Sequence, residues 1–153
     1  MLQSDEILKG SSSVLLVDWP SATLPRALLE TGLTVFGYSP AGYSSAELAD
    51  EKPDDLAARS FVPERPEEGR FLVFRRLSEA PARVDVVGVY RPSEELPEII
   101  KRHVTPLQAR MLWLQPPVVS PQARDLAARL GVEFVEGADL AEAARRVRAR
   151  ATT

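Results

Sequence analysis

Residues Val84–Val89 read VDVVGV, and the polar segment Tyr90–Glu94, which reads YRPSE, follows them directly. A short and largely apolar run without regular polar alternation is typical of a β-strand that is covered on both faces. Similar runs occur at Val14–Val17 and Met111–Leu114. Because strands of this kind form the centre of parallel sheets, the three runs predict the middle of an α/β sheet.

Helical stretches lie between these runs and are recognisable by the signals at their ends. Two further predicted strands, Leu33–Phe36 and Val132–Val135, each follow a helix that ends at glycine, which readily adopts the conformation of helix ends. Polar residues that can cap a helix precede the other helical stretches. The predicted end positions are Gly32, Ser93, Ser120, Gly131 and Asp139. Strand and helix therefore alternate from Val14 onward, which predicts an α/β domain with a mainly parallel sheet.

The stretch from residue 44 to residue 70 interrupts this alternation. It is highly charged, with more acidic than basic residues, and it contains Pro53, Pro63 and Pro66. We expect an excursion from the domain that is partly loop, with one short helix around Asp55–Arg59. The apolar run Phe71–Phe74 then predicts another strand, at an edge of the sheet.

Composition excludes several classes of site. The chain has 153 residues, no cysteine and one histidine. A length within roughly 100–200 residues predicts a single domain over residues 1–153. Without cysteine there is no disulfide scaffold, thiolate metal site or cysteine nucleophile. The one histidine, His103, is insufficient for a histidine metal centre and a poor basis for a Ser-His-Asp triad. We expect it to be a solvated side chain at a helix end, and we expect no enzymatic activity.

Charge and hydropathy limit the partners. The formal net charge is −3, so no overall basic field attracts nucleic acid. No apolar run approaches the about 18–20 residues that a membrane-spanning helix needs. The first ten residues include Asp5 and Glu6 and lack the basic-then-apolar pattern of a secretory signal. The sequence thus predicts a cytoplasmic protein that binds neither nucleic acid nor membranes.

The loops that follow the strands are the expected place for a ligand. In an open α/β sheet, ligands bind beyond the C-terminal ends of the strands, near the point where the strand order reverses. The corresponding segments are 18–23, 39–43, 90–93 and 115–120. They contain neither a P-loop nor a G-x-G-x-x-G motif, so neither common phosphate motif is intact.

Three segments carry a family resemblance. Val84–Glu94 resembles the "VDxVxVFRPSE" segment of the small bacterial CoA-binding proteins, Leu112–Gln115 matches their "WLQ", and Val35–Pro40 falls on their "VxPVNP". Those proteins are stand-alone Rossmann-like domains similar to the N-terminal domain of the succinyl-CoA synthetase alpha subunit. The resemblance covers nearly all of the chain outside residues 44–70. It implies a Rossmann-like three-layer fold and non-catalytic binding of CoA, an acyl-CoA or a related nucleotide.

The turn after the first strand departs from the family. Family members usually have a glycine-containing turn there, whose backbone amides reach a phosphate. This chain has Asp18–Ser21, which reads DWPS. Asp18 places a negative charge where a diphosphate would approach the helix N-terminus, and Pro20 removes an amide donor. We therefore expect weaker CoA binding than in members with the glycine turn.

Other departures are milder. The family's "NP" is Ser39-Pro40 in this chain, and the glycine after "WLQ" is replaced by Pro117 behind Pro116. The late cysteine of the family falls at Asp139, which suits a helix cap. The resemblance and the strand-end loops together imply nine ligand-binding candidates, namely Asp18, Trp19, Ser21, Ser39, Pro40, Tyr90, Arg91, Pro92 and Gln115.

Three of these candidates have competing interpretations. Arg91 is the expected principal phosphate contact, since a guanidinium donates two parallel bonds and stays charged. Alternatively, Arg91 forms a salt bridge with Glu94 or Glu95. Asp18 is either a carboxylate of the ligand site or the cap of the following helix. Trp19 either stacks on an adenine or packs against its own loop.

A second hypothesis for the whole chain remains open. A structural or protein-interaction domain could keep the fold, for example for a homodimer, after losing the ligand. A third interpretation, a response-regulator receiver suggested by the VLLVD of Val14–Asp18, is disfavoured. The strand ending at Val89 leads to Tyr90 and Arg91 without a phosphoacceptor aspartate, and Gln115 stands where a receiver has lysine.

Overall fold

The computed structural model describes residues 3–40, 42–49, 59–61 and 71–151. The strands are β1 (Ser13–Val17), β2 (Thr34–Ser39), β3 (Gly42–Ala49), β4 (Arg59–Phe61), β5 (Phe71–Arg76), β6 (Val86–Val89), β7 (Met111–Leu114) and β8 (Glu133–Glu136). The α-helices are α1 (Gln3–Gly10), α2 (Thr23–Glu30), α3 (Leu96–Ile99), α4 (Pro121–Leu130) and α5 (Leu140–Ala151). A 3-10 turn, Ser93–Glu95, leads into α3, and a π-helical turn, Ile100–Val104, follows it.

The described strands form one eight-stranded sheet in the order β4-β5-β3-β2-β1-β6-β7-β8. Strands β2, β1, β6, β7 and β8 are parallel neighbours, whereas β3, β5 and β4 extend the sheet in antiparallel fashion. In the centre, Leu15 of β1 lies opposite Phe36 on one side and Val87 on the other. The predicted α/β architecture with a mainly parallel sheet is confirmed.

Helices cover both faces of this sheet. One core cluster joins the sheet to α1, α2 and α5, and the other joins it to α3, its π-helical extension and α4. The fold is therefore the expected Rossmann-like three-layer arrangement. Trp113 lies in β7, between β6 and β8, with 2% of its surface exposed, so it is a core residue. Gly88 of β6 lets α5 approach closely, because a Cβ there would lie 3.1 Å from Leu140 Cδ2.

The structure corrects the interpretation of residues 44–74. Residues 44–49, which we expected to belong to the excursion, are part of strand β3. Its sequence GYSSAELA lacks a strong apolar pattern. The run Phe71–Phe74 is not an edge strand, because β5 is paired with β3 on one side and β4 on the other. Antiparallel strands with one solvated face carry a weaker hydrophobic signal than buried parallel ones, which explains the omission.

The predicted short helix at Asp55–Arg59 falls mostly outside the described residues. Its last member, Arg59, belongs to strand β4. Residues 50–58 and 62–70 are likewise outside the described part of the chain.

Four of the five predicted helix-end signals are present. Gly32, just after α2, has a φ of +91°. Ser120 Oγ accepts from Ala123 N at 3.0 Å, Gly131 has a φ of +71°, and Asp139 Oδ2 accepts from Glu142 N at 3.3 Å. The cap predicted at Ser93 is wrong. A 3-10 turn begins there, in which Glu95 N donates to the backbone oxygen of Pro92 at 3.0 Å instead of to a serine side chain. Within the described residues, no helix is both long and apolar enough to span a membrane.

Candidate ligand-binding site

The strand order reverses between β1 and β6. From β1 the chain passes through α2 to β2 on one side, whereas β6 pairs with the other side of β1. The C-terminal ends of β1 and β6 therefore flank a topological switch point, where α/β proteins commonly bind ligands. Asp18 directly follows β1, and Arg91 lies two residues beyond the end of β6.

An ion-pair cluster bridges this switch point. Arg91 Nη1 lies 3.2 Å from Asp18 Oδ2. The same guanidinium grips Glu95 with two nitrogens, at 2.6 Å from Nη2 to Oε2 and 3.3 Å from Nε to Oε1. These hydrogen bonds, first to Glu95 and then to Asp18, raise the pKa of Arg91. The salt bridge with Glu95 that competed with a phosphate contact is thus present, and Asp18 adds a second carboxylate.

Asp18 does not cap the following helix. Its backbone has a φ of +65°, and its Oδ1 accepts from Trp19 N at 2.8 Å. Helix α2 begins at Thr23, and the preceding Ala22 offers no side-chain cap. The capping interpretation was wrong because four residues separate Asp18 from the helix start. Its carboxylate instead points one oxygen at its own turn and the other at Arg91.

Trp19 packs against the sheet. Its indole stacks on Phe74 with ring centroids 4.9 Å apart and planes at 12°. Gly37 of β2 makes room for this stack, since a Cβ there would lie 3.1 Å from Trp19 Cη2 and 3.2 Å from Phe74 Cε1. Trp19 therefore packs on Phe74 of the sheet and not only against its own loop. Its side chain also lines the larger cavity described below.

Two concavities flank the ion-pair cluster. A cavity of about 570 Å³ lies over the ends of β1 and β2 and against the helical segment that follows β6. A second cleft of about 450 Å³ lies between the segments that follow β6 and β7. Asp18 and Arg91 line both. We call them the larger cavity and the smaller cleft.

The structure brings eight of the nine predicted candidates to these concavities. The larger cavity is lined by Asp18, Trp19, Ser21, Ser39, Pro40 and Arg91. The smaller cleft is lined by Asp18, Tyr90, Arg91 and Pro92.

Gln115 lines neither the larger cavity nor the smaller cleft. Its side chain is buried, with Oε1 accepting from Leu140 N at 3.0 Å and Nε2 donating to Asp139 Oδ1. The amide therefore holds the N-terminal end of α5 against the end of β7. Gln115 therefore has a structural role. Its position after a strand could not show from the sequence whether it would contact a ligand or another part of the fold.

The wall of the larger cavity opposite the strand-end loops was not predicted. It comes from Glu98, Ile99, Arg102 and His103, on α3 and its π-helical extension. Arg102 donates to Tyr38 Oη and to Glu98 Oε1, each at 3.3 Å. The hydrogen bond to Tyr38 is the main cause of a raised pKa of Arg102. These residues follow no motif in the sequence, and only the packing of the helix on the sheet places them beside Arg91.

His103 is buried rather than solvated, which corrects the expectation for it. Only 1% of its surface is exposed, its Nδ1 lies 2.7 Å from Tyr43 Oη, and its ring centroid lies 4.3 Å from that of Tyr38. Burial and the charge of Arg102 lower its pKa to about 4, and burial likewise raises the pKa of Tyr43. The histidine is therefore neutral at neutral pH. Sequence reasoning missed this because Tyr43 comes from β3, the strand it did not predict.

The larger cavity combines charged and apolar walls. Its three carboxylates, Asp18, Glu95 and Glu98, face two guanidiniums, Arg91 and Arg102. Among the described residues, no group of histidine and acidic side chains could hold a metal ion. Paired arginines beside aromatic and proline side chains can hold an anionic group together with an apolar or planar one.

The geometry agrees with what sequence comparison finds. A sequence model for the family described as "CoA binding domain" matches residues 17–143. The chain belongs to this CoA-binding domain family. The match contains the ends of β1, β2, β6 and β7, and with them all nine candidate residues. The resemblance seen in the sequence is thereby confirmed.

Solved structures agree on the fold of this CoA-binding domain. A Thermus thermophilus protein designated cell-free ID.343 superposes with a TM-score of 0.62 at 16% identity, over 95% of this chain and 96% of that one. Prb, the PH1109 protein redesigned for binding, has a TM-score of 0.63 at 16% identity, over 94% of this chain and 88% of that one. No curated protein matches significantly.

Proposed function

We propose that this domain binds CoA, an acyl-CoA or a related nucleotide at the switch point between β1 and β6, without converting it chemically. The observation that carries this proposal is the placement of Arg91. It stands between two concavities, of about 570 and 450 Å³, in a chain of the CoA-binding domain family. An elongated ligand with phosphates near its middle could place one end in each.

The carboxylates around Arg91 bear on the strength of this binding. A phosphate that reaches Arg91 must compete with Asp18 and Glu95, which contact all three guanidinium nitrogens. It also meets the negative charge of Asp18 directly. We therefore propose binding that is weaker than in relatives with a glycine turn and that weakens further as salt screens the arginines.

Calorimetric titration with CoA and acetyl-CoA at low and high salt tests this proposal. We expect saturable binding of both compounds, with an affinity that falls as the salt concentration rises. The absence of binding at any salt concentration would contradict the proposal.

The second candidate is a structural or protein-interaction domain that has lost its ligand. It is favoured by the same ion-pair cluster, because Asp18 already occupies Arg91 at 3.2 Å in the position of an incoming anion. If this candidate is correct, CoA will not protect the domain against thermal unfolding. A domain that binds CoA will melt at a higher temperature as the CoA concentration increases.

Replacing Asp18 by asparagine should tighten CoA binding. Asparagine tolerates the φ of +65° at this position, and its side-chain oxygen can still accept from Trp19 N. The substitution removes a partly exposed ion pair and a repulsive charge, so we expect the Kd for CoA to fall about threefold to tenfold. The control is Glu30→Gln, which removes an exposed charge at the end of α2, on the opposite edge of the sheet. An equal effect of the two variants would show that only net charge matters.

A further inference from the structure

Arg102 is the second cation of the larger cavity. It lies in the π-helical turn Ile100–Val104, which places the consecutive residues Arg102 and His103 both beside Tyr38. Short π-helical turns are often found at functional sites. The side chain of Arg102 is 56% exposed, compared with 40% for Arg91.

The two arginines differ in how firmly carboxylates hold them. Arg91 makes three hydrogen bonds to two carboxylates, including a two-pronged contact with Glu95. Arg102 makes one contact, of 3.3 Å, with Glu98, a carboxylate whose side chain is 62% exposed. A single exposed pair of this kind adds little stability, because water solvates both partners well when they separate. An incoming anion therefore displaces Glu98 from Arg102 more easily than it displaces Asp18 and Glu95 from Arg91.

Tyr38 holds Arg102 at the cavity wall. Its hydroxyl accepts from Arg102 Nη1 at 3.3 Å. Its ring packs on His103 with centroids 4.3 Å apart and meets Tyr43 edge-on at 4.9 Å. The phenol is thus positioned by packing on both sides, and the guanidinium that it binds loses less freedom when a ligand arrives.

We propose that Arg102, rather than Arg91, makes the principal contact with the phosphate groups of the ligand. In this assignment Glu98 occupies Arg102 when no ligand is bound, Tyr38 positions Arg102, and Arg91 orders the rim between the two concavities. The assignment rests on the proposed function and specifies which residue of that site recognises the anion.

Calorimetric titration of CoA into matched variants tests the assignment. For Arg102→Gln we expect the Kd at low salt to rise about tenfold or more and the salt dependence of binding to flatten. Arg102→Lys keeps the charge but not the planar guanidinium with its parallel donors, so its Kd should lie between those of the wild type and Arg102→Gln. Tyr38→Phe keeps the ring packing but loses the acceptor, so we expect about a threefold loss. The control Arg83→Gln alters an exposed arginine before β6, at the opposite edge of the sheet, and should bind like the wild type.

A double-mutant cycle tests the role of Glu98. Glu98→Gln alone should tighten CoA binding about threefold, and the gain should disappear in the Arg102→Gln background because the two residues act through their contact. If Glu98→Gln still tightens CoA binding in the Arg102→Gln background, Glu98 does not act by occupying Arg102. If the wild type binds CoA and Arg102→Gln binds it with the same Kd, the assignment of Arg102 is wrong but the proposed function stands. If the wild type does not bind CoA, the proposed function is wrong as well.

Discussion

Replacing Arg148 by methionine should lower the free energy of unfolding by about 3 kcal/mol, since its charged hydrogen bonds to backbone oxygens are lost together. Arg148, on α5, donates from Nη1 to the oxygens of Leu8, Lys9 and Ser11 at 3.2, 3.2 and 2.8 Å. Its Nε donates to the oxygen of Thr31 at 3.1 Å. One guanidinium therefore satisfies backbone oxygens at the C-terminal ends of both α1 and α2.

The setting of Arg148 explains why the expected loss is large. The side chain is half-buried, and burial lowers its pKa, although an arginine remains charged at any working pH. Methionine fills a similar space but donates no hydrogen bond, so the carbonyl groups must find water or stay unpaired. For a domain of this length, we expect the melting temperature to fall by about 6–12 °C.

The neighbouring Arg146 provides the control. It lies on the same helix, but among the described residues its ion-pair partner is Asp5 alone, at 2.8 Å, and its side chain is 48% exposed. Arg146→Met should therefore change the stability by less than about 1 kcal/mol. Urea denaturation of both variants measures the difference. Equal losses in the two variants would contradict the role of Arg148 in holding the helix ends.

The stability of the domain should fall by about 3 kcal/mol between pH 6.5 and pH 4 because of His103 alone. Its pKa is about 4 in the folded protein, against 6.5 for an ordinary histidine. Within this window the unfolded chain binds a proton that the folded protein does not, so acidification favours unfolding. Above pH about 6.5 neither state is protonated at this residue and the contribution is constant; below about 4 both are, and the contribution is lost.

The variant His103→Gln isolates this effect from the titration of carboxylates. Urea denaturation of both proteins from pH 7 to pH 4 should show a steeper loss for the wild type, by about 3 kcal/mol over the window. Because His103 is the one histidine of the chain, its imidazole signal in an NMR titration is unambiguous. A midpoint near 6.5 in the folded protein would contradict burial against Tyr38 and Tyr43.

The extent to which the sequence predicts the fold depends on the type of strand. Apart from Ser13 at the start of β1, strands β1, β6 and β7 contain no polar side chain, because helices cover both of their faces. This pattern is visible in the sequence without any structure. Strand β3 is half-buried at most positions and contains polar residues. Its partners β2 and β5 stabilise it by backbone pairing, which leaves no comparable mark on its side chains. Because β3 was not predicted, the sequence placed β5 at an edge of the sheet instead of between β3 and β4.

The candidate site divides in a similar way. Residues within two positions of a strand end, such as Asp18 and Arg91, can be located from the sequence because the ends of parallel strands meet at one edge of the sheet. Residues on the covering helix, such as Arg102 and His103, reach the same place only because that helix packs against the sheet. Their contacts with Tyr38 and Tyr43 span 60 or more positions of the chain.

The sequence by itself determined the α/β alternation, the family and the edge of the sheet where a ligand would bind, because these depend on local apolar patterns and on segments that follow strands. Only the tertiary structure decided how the charged and titratable side chains at that edge are paired, exposed or buried. It paired Arg91 with both Asp18 and Glu95, set Arg102 beside the cavity and buried His103. Electrostatic interactions act through space over a few ångströms, and the distances that control them are set by packing between elements remote in the chain.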